Sequence, residues 1–143
     1  MSNLPSLLLG TRNAGKVREI ELILGDVPWQ IRSLHEFDNV DIAAETADTY
    51  AENAIAKAQF YARATGLSAL ADDSGLEVEA LGGAPGVFSA RYAGDSATDA
   101  DRRVLLLSQL AGVPAENRAA RFVCVVAISE PDGRVLNVSE GTC

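Results

Sequence analysis

Histidine, cysteine, basic residues and long apolar runs are all scarce in this chain, and each shortage removes a class of function. His35 is the single histidine; it lies in an acidic stretch without a Ser or Cys nucleophile motif, which argues against a triad enzyme. Two cysteines form no disulfide framework, and without Cys/His ligand spacing they form no zinc site. Cys124, inside "RFVCVVAI", reads as a small core residue, and Cys143 is the last residue. No segment approaches the ~20 apolar residues of a membrane span, and "MSNLPSLLLG" lacks the basic start of a secretory signal. Twelve basic residues against 20 acidic ones give a net charge of −8, so a basic face for nucleic acid polymers or anionic membranes is not expected. A polyanionic substrate would have to be received by a local positive pocket or a metal ion. G-x-S-x-G, H-E-x-x-H and G-x-G-x-x-G motifs are missing, as are repeats and linkers. A cytoplasmic location is expected.

What is present suits one α/β domain over residues 1–143, with a mixed central sheet flanked by helices. "SLLLG" (6–10) is a short apolar run closed by glycine, which suits a buried strand. From Ala14, the residues Val17, Ile20, Ile23 and Leu24 recur at helical spacing up to Gly25. "WQIRSL" suits a second strand and residues 35–48 a loop. Thr49 and Glu52 have capping-box spacing ahead of an alanine-rich helix ending at Gly66, with Tyr50, Ala54, Ile55, Ala58 and Ala62 as its buried stripe. "SALA" reads as a short strand leading into "DDSG", "LEVEAL" (76–81) as another strand, and "GGAPG" as a turn. Thr98 to Asp101 would cap a third helix running to Leu110. "ARFVCVVAIS" and "RVLNVSEG" flank the hairpin signal "EPDG".

Chemistry concentrates at few places. "GTRNAGKV" (10–17) matches seven of the eight positions of a phosphate-binding P-loop, but Val17 stands where a magnesium-holding hydroxyl belongs. A strand turning into a helix presents backbone N–H groups and a favourable dipole to an anion. Lys16 adds a full charge, and Thr11 and Asn13 add polar side chains. The same glycines would equally shape a plain turn with Lys16 solvated. "ADDSGL" (71–76) puts two carboxylates at a strand end, where only one can face a given pocket. An Asx-type turn is the alternative there. Glu45 is either a third carboxylate for a hard cation or a loop residue. Asn53 and Lys57 share a helix face, Lys57 lying opposite much of the alanine stripe like an ordinary solvated residue. Arg91 is a weaker phosphate-ligand candidate.

Together "TRNAGKVREI", "AETADTYAENAIAKA", "ALADDSGLEVEALGGAPGVFSARYAG" and "ARFVCVVAI" resemble, in order and spacing, the inosine triphosphate pyrophosphatase family. The resemblance implies Mg²⁺-dependent hydrolysis of non-standard purine nucleoside triphosphates (ITP, dITP, XTP) to the monophosphate and pyrophosphate. It implies that Thr11, Arg12, Asn13, Ala14, Gly15 and Lys16 bind the triphosphate, with Lys57 and Ser74 as further substrate contacts. Asp73 would be general base and metal ligand, Glu45 the other Mg²⁺ ligand, and Lys16 would stabilise the departing pyrophosphate. The metal then belongs to carboxylates, which leaves position 17 free to be valine. A homodimer is also implied. Members of this family continue into glycine-rich "GFGYDP"-like and "SHR"-like stretches that this sequence lacks, so the chain is expected to be incomplete at its C-terminus, with exposed apolar surface or an unpaired strand edge. A Maf-like pyrophosphatase for modified nucleotides and an inactive nucleotide-binding fragment are the alternatives.

Overall fold

The computed structural model describes residues 3–143. Two compact units are present, one of Met1–Asp72 with Val125–Ser139, the other of Asp73–Cys124 with Glu140–Cys143. The element order is β1 (Ser6–Leu9), α1 (Ala14–Leu24), β2 (Gln30–Ser33), α2 (Tyr50–Thr65), β3 (Ser68–Val78), α3 (Asp99–Gln109), β4 (Ala120–Ser129) and β5 (Val135–Thr142). The five strands form one sheet in the order β2-β1-β3-β4-β5, in which β1 pairs parallel with both β2 and β3. The fold is the α/β class expected.

In the first unit the strand pleat sorts side chains to two faces. Leu8 of β1 and Ala69 of β3 turn to one face and pack with Tyr61 and Ala62 of α2, Leu34 and Ala43. Ala71 joins Ala54 and Ala58 of α2, Val125 and Ala127 in an adjoining cluster. Leu7, Leu9 and Leu70 turn the other way and meet Val17, Ile20 and Leu24 of α1. The alanines let α2 sit close to the strands. On α1, Val17, Ile20 and Leu24 fall within one arc of about 60°, but Ile23 lies outside it. Ile23, though it recurs at the same helical spacing, is accordingly 82% exposed.

α2 starts where Thr49 Oγ1 accepts the N–H of Glu52, and ends at Gly66, whose φ of 72° needs a residue tolerant of the left-handed region. β3 departs from expectation. "SALA" and "LEVEAL" are not separate strands; residues 68–78 form one continuous strand, with "DDSG" inside it. Ala69–Asp73 are all buried, where backbone groups need partners that a strand supplies better than an isolated turn.

In the second unit α3 carries a full capping box: Thr98 Oγ1 accepts the Asp101 N–H, and Asp101 Oδ2 accepts the Thr98 N–H. Phe122 and Cys143 exchange reciprocal backbone bonds there, while the turn of the expected β4–β5 hairpin, closed by the Glu130 N–H on the Arg134 carbonyl, belongs to the first unit. Cys124 is half-buried and not the core residue anticipated. β5 is exposed along its whole length, including Val135, Leu136 and Val138.

Candidate active site

The P-loop-like segment is shaped by close packing and a side-chain cap. Gly10 lies so near β3 that a Cβ there would sit 3.0 Å from the Leu70 carbonyl oxygen and 3.0 Å from the Tyr61 ring. Its own N–H holds that carbonyl at 2.7 Å. Asn13 is the N-cap of α1, with Oδ1 accepting the N–H groups of Gly15 (2.9 Å) and Lys16 (3.2 Å). A Cβ on Gly15 would stand 3.2 Å from that same oxygen, a tight approach to the cap. The Asn13 N–H bonds Thr11 Oγ1 in turn. The Arg12 guanidinium donates to the Val40 carbonyl, tying the loop to the segment before Glu45. Of the backbone N–H groups expected to await an anion, those of Gly15 and Lys16 are therefore bonded to Asn13. Ala14 opens the helix.

Lys16 Nζ, one turn into α1, forms an ion pair with Asp72 Oδ2 at 2.7 Å. The Asp72 side chain is 8% exposed, that of Lys16 36%. Lys57 Nζ, from α2, donates to the backbone carbonyl of the same Asp72 at 2.9 Å and pairs with Glu45. Its side chain is only 12% exposed, so Lys57 is no ordinary solvated residue. Two ammonium groups from two helices thus converge on one residue of β3. The loop carrying Glu45 is held by Asn53, whose Oδ1 accepts the Ala47 N–H at 2.9 Å, and by the Tyr61 hydroxyl, which accepts the Ala43 N–H at 3.1 Å.

In the second unit Asp73 is 6% exposed and accepts the Ser74 N–H at 3.0 Å. Strand alternation turns its side chain to the face opposite that of Asp72. Arg91 stacks over the Phe88 ring, 5.8 Å from its centroid. Sequence reading missed Asp72 as the partner of Lys16, and Asn53 and Tyr61 as buried loop anchors. Their helical spacing from Lys57 was the signal available.

Among the described residues no cluster of three or more His, Cys, Asp or Glu forms an all-protein metal cage. Glu45 and Asp73 are hard oxygen donors, and Mg²⁺ binds with one or two carboxylates when phosphate oxygens and waters supply the rest. Each of the two, taken by itself, is of the donor class that a hard cation accepts.

The sequence profile of the Ham1 family matches residues 7–143. The chain belongs to the Ham1 family. Similar proteins include the dITP/XTP pyrophosphatase of Desulforamulus reducens, 50% identical over 137 residues, covering 96% of this chain and 68% of the relative. The dITP/XTP pyrophosphatase of Geobacter sulfurreducens is 48% identical over 128 residues, 90% of this chain and 64% of its own length. Among solved structures, a HAM1 protein from Coxiella burnetii superimposes with a TM-score of 0.85 at 42% identity, covering 96% of this chain and 70% of that one. The chain thus spans about two thirds of the length of the curated relatives it matches.

Proposed function

We propose that this Ham1-family chain hydrolyses non-standard purine nucleoside triphosphates of the dITP, ITP and XTP type to the monophosphate and pyrophosphate. The observation that carries the reading is the meeting of Lys16 and Lys57 at Asp72. In a chain of net charge −8, two ammonium groups at the start of one helix and on the inner face of another make a local seat for a polyphosphate. Thr11, Arg12, Asn13, Ala14 and Gly15 shape the loop beside it, and Ser74 is a further substrate contact. The relatives named as dITP/XTP pyrophosphatases support the substrate class.

Attack of water on the α-phosphorus forms the new O–P bond and breaks the bridge to the β-phosphate, so pyrophosphate departs. Asp73, a buried carboxylate, takes the proton of the attacking water. Lys16 balances the charge growing on the leaving pyrophosphate, and Lys57 holds the chain of phosphates in line. Mg²⁺, held by Glu45 and Asp73, would supply charge neutralisation on the phosphate oxygens. A homodimer is part of the same reading, with exposed Leu22, Ile23, Phe122 and Leu136 offering apolar surface, and so is a cytoplasmic location. Among the described residues no helix is long and apolar enough to cross a membrane.

Pyrophosphate release from dITP by the Asp73→Asn protein is the test. Proton abstraction by a positioned base contributes about 10²–10⁴-fold, so kcat should fall by at least about 100-fold while the far-UV spectrum is unchanged. An undiminished rate rejects the role. Binding of dITP by the unaltered protein with no release would assign a binding function instead.

A further inference from the structure

The segment before α2 has no regular secondary structure, yet its burial alternates strictly: 43, 45 and 47 are turned inward, and 42, 44 and 46 are exposed. That is the pattern of an extended chain lying against a surface. Three inward positions meet three side chains of one helix. Ala47 is bracketed by Asn53, which accepts its N–H at 2.9 Å and donates to its carbonyl at 3.4 Å. Glu45 pairs with Lys57. The Ala43 N–H donates to the Tyr61 hydroxyl at 3.1 Å. Asn53, Lys57 and Tyr61 are spaced four apart and so form a single stripe along α2. The segment runs antiparallel to that stripe, 47 on 53, 45 on 57, 43 on 61.

The registers match because the two repeats nearly coincide. Four residues of helix advance about 6 Å, and two residues of extended chain about 6.6 Å. Over two steps the mismatch grows to only about 1 Å, which side-chain reach absorbs. Asn53 is 2% exposed and Tyr61 3%, so both anchors are ordered and shielded from water. Asn53 copies a peptide group, giving Ala47 the donor and acceptor a neighbouring strand would give.

We propose that Asn53 and Tyr61 are positioning residues for Glu45: α2 acts as a ruler that clamps the backbone on both sides of that carboxylate and sets where it stands. This rests on the metal-ligand role proposed for Glu45. Both anchors bond peptide groups of the segment. Each acts through the peptide it holds, so its loss should loosen the carboxylate and leave the phosphate contacts of Lys16 in place.

Three variants test this: Tyr61→Phe, which removes one hydroxyl from an otherwise filled site, Asn53→Ala, and Glu45→Gln. Hydrogen exchange of the Ala43 and Ala47 amides is read without nucleotide. Mn²⁺ affinity is read by calorimetry with a non-hydrolysable dITP analogue, and the Mg²⁺ concentration for half-maximal pyrophosphate release from dITP by assay. Tyr61→Phe should speed exchange at Ala43 and Asn53→Ala at Ala47, each at least tenfold. Both should weaken Mn²⁺ binding and raise the Mg²⁺ requirement about three- to tenfold, with the dITP KM at saturating Mg²⁺ changed less than twofold. Unchanged exchange in both variants overturns the ladder. Faster exchange with an unmoved metal requirement, while Glu45→Gln raises it, overturns the positioning role. If Glu45→Gln itself leaves Mn²⁺ affinity unchanged, the metal-ligand reading has failed and this inference falls with it; the exchange data still show whether α2 holds the segment.

Discussion

Replacing Lys16 by Met should destabilise the fold and weaken triphosphate binding, and the two effects separate through Asp72. The ammonium and carboxylate stand 2.7 Å apart, with Asp72 8% and Lys16 36% exposed. Unit charges about 4 Å apart attract by roughly 4 kcal/mol at an effective dielectric near 20. Fully exposed pairs retain only about 0.2–1 kcal/mol. Lys16 is just over a third exposed, so screening brings the expected coupling to about 1–2 kcal/mol. Lys16→Met strands a buried carboxylate and should lose about 2 kcal/mol, below the ~3–5 kcal/mol of a fully buried broken pair. Asp72→Asn keeps an oxygen acceptor and should lose about 1 kcal/mol. The double variant should then lose about 1.5 kcal/mol, less than the sum of the two. Urea unfolding of the four proteins measures the cycle. In calorimetry with a non-hydrolysable dITP analogue, Lys16→Met removes a charged hydrogen bond of about 1.5–3 kcal/mol, or roughly 10- to 150-fold in Kd. Asp72→Asn should not weaken binding, because it releases Lys16 from its competitor. A coupling below about 0.3 kcal/mol, within the additivity seen for independent sites, would refute the pair. So would Asp72→Asn weakening the analogue as much as Lys16→Met does.

Gly10→Ala should destabilise by about 1–3 kcal/mol through overpacking, because the new methyl meets the Leu70 carbonyl and the Tyr61 ring; wild-type urea midpoints would contradict the close approach. Mg²⁺ alone should give no measurable heat at micromolar concentrations, and binding should emerge only with the triphosphate analogue, since no carboxylate cage exists among the described residues. Tight Mg²⁺ binding without nucleotide would contradict that account. The Asp101 carboxyl is held below the usual range, first by the Thr98 N–H, then by the Thr98 side chain, with Arg102 adding to both. Its folded pKa lies below its unfolded one, so the stabilisation is present above about pH 4 and is lost as pH falls through the folded value. The stability gap between wild type and Asp101→Asn should therefore be open at pH 6 and close in acid; a gap constant with pH would show that the capping charge is not responsible.

Local signals in the sequence were sufficient for the elements whose causes are local. The Thr49 and Thr98 caps, the alanine stripe of α2 and the "EPDG" hairpin each depend on residues within a few positions of one another, and all are found where the sequence places them. The motifs likewise led to the Ham1 family, because a family pattern is itself an order of residues along the chain. Sequence also required Asp72 and Asp73 to face opposite ways if extended, by the two-residue pleat.

Which of them would meet Lys16 was another matter, since that depends on the face of β3 against which α1 packs. The same holds for "DDSG", which favours a turn by local preference but is drawn into one long strand by the burial of its neighbours. Ile23 fits a helical period yet points outward, because the sheet covers only one arc of α1. Lys57 looks solvated on a helical wheel, but Glu45 and the Asp72 carbonyl enclose it. Periodicity measures only how side chains are spaced along one element. Charge pairing and the burial of polar groups depend on what lies across the gap, and only the folded chain brings residues 16 and 72, or 45 and 57, within reach of each other.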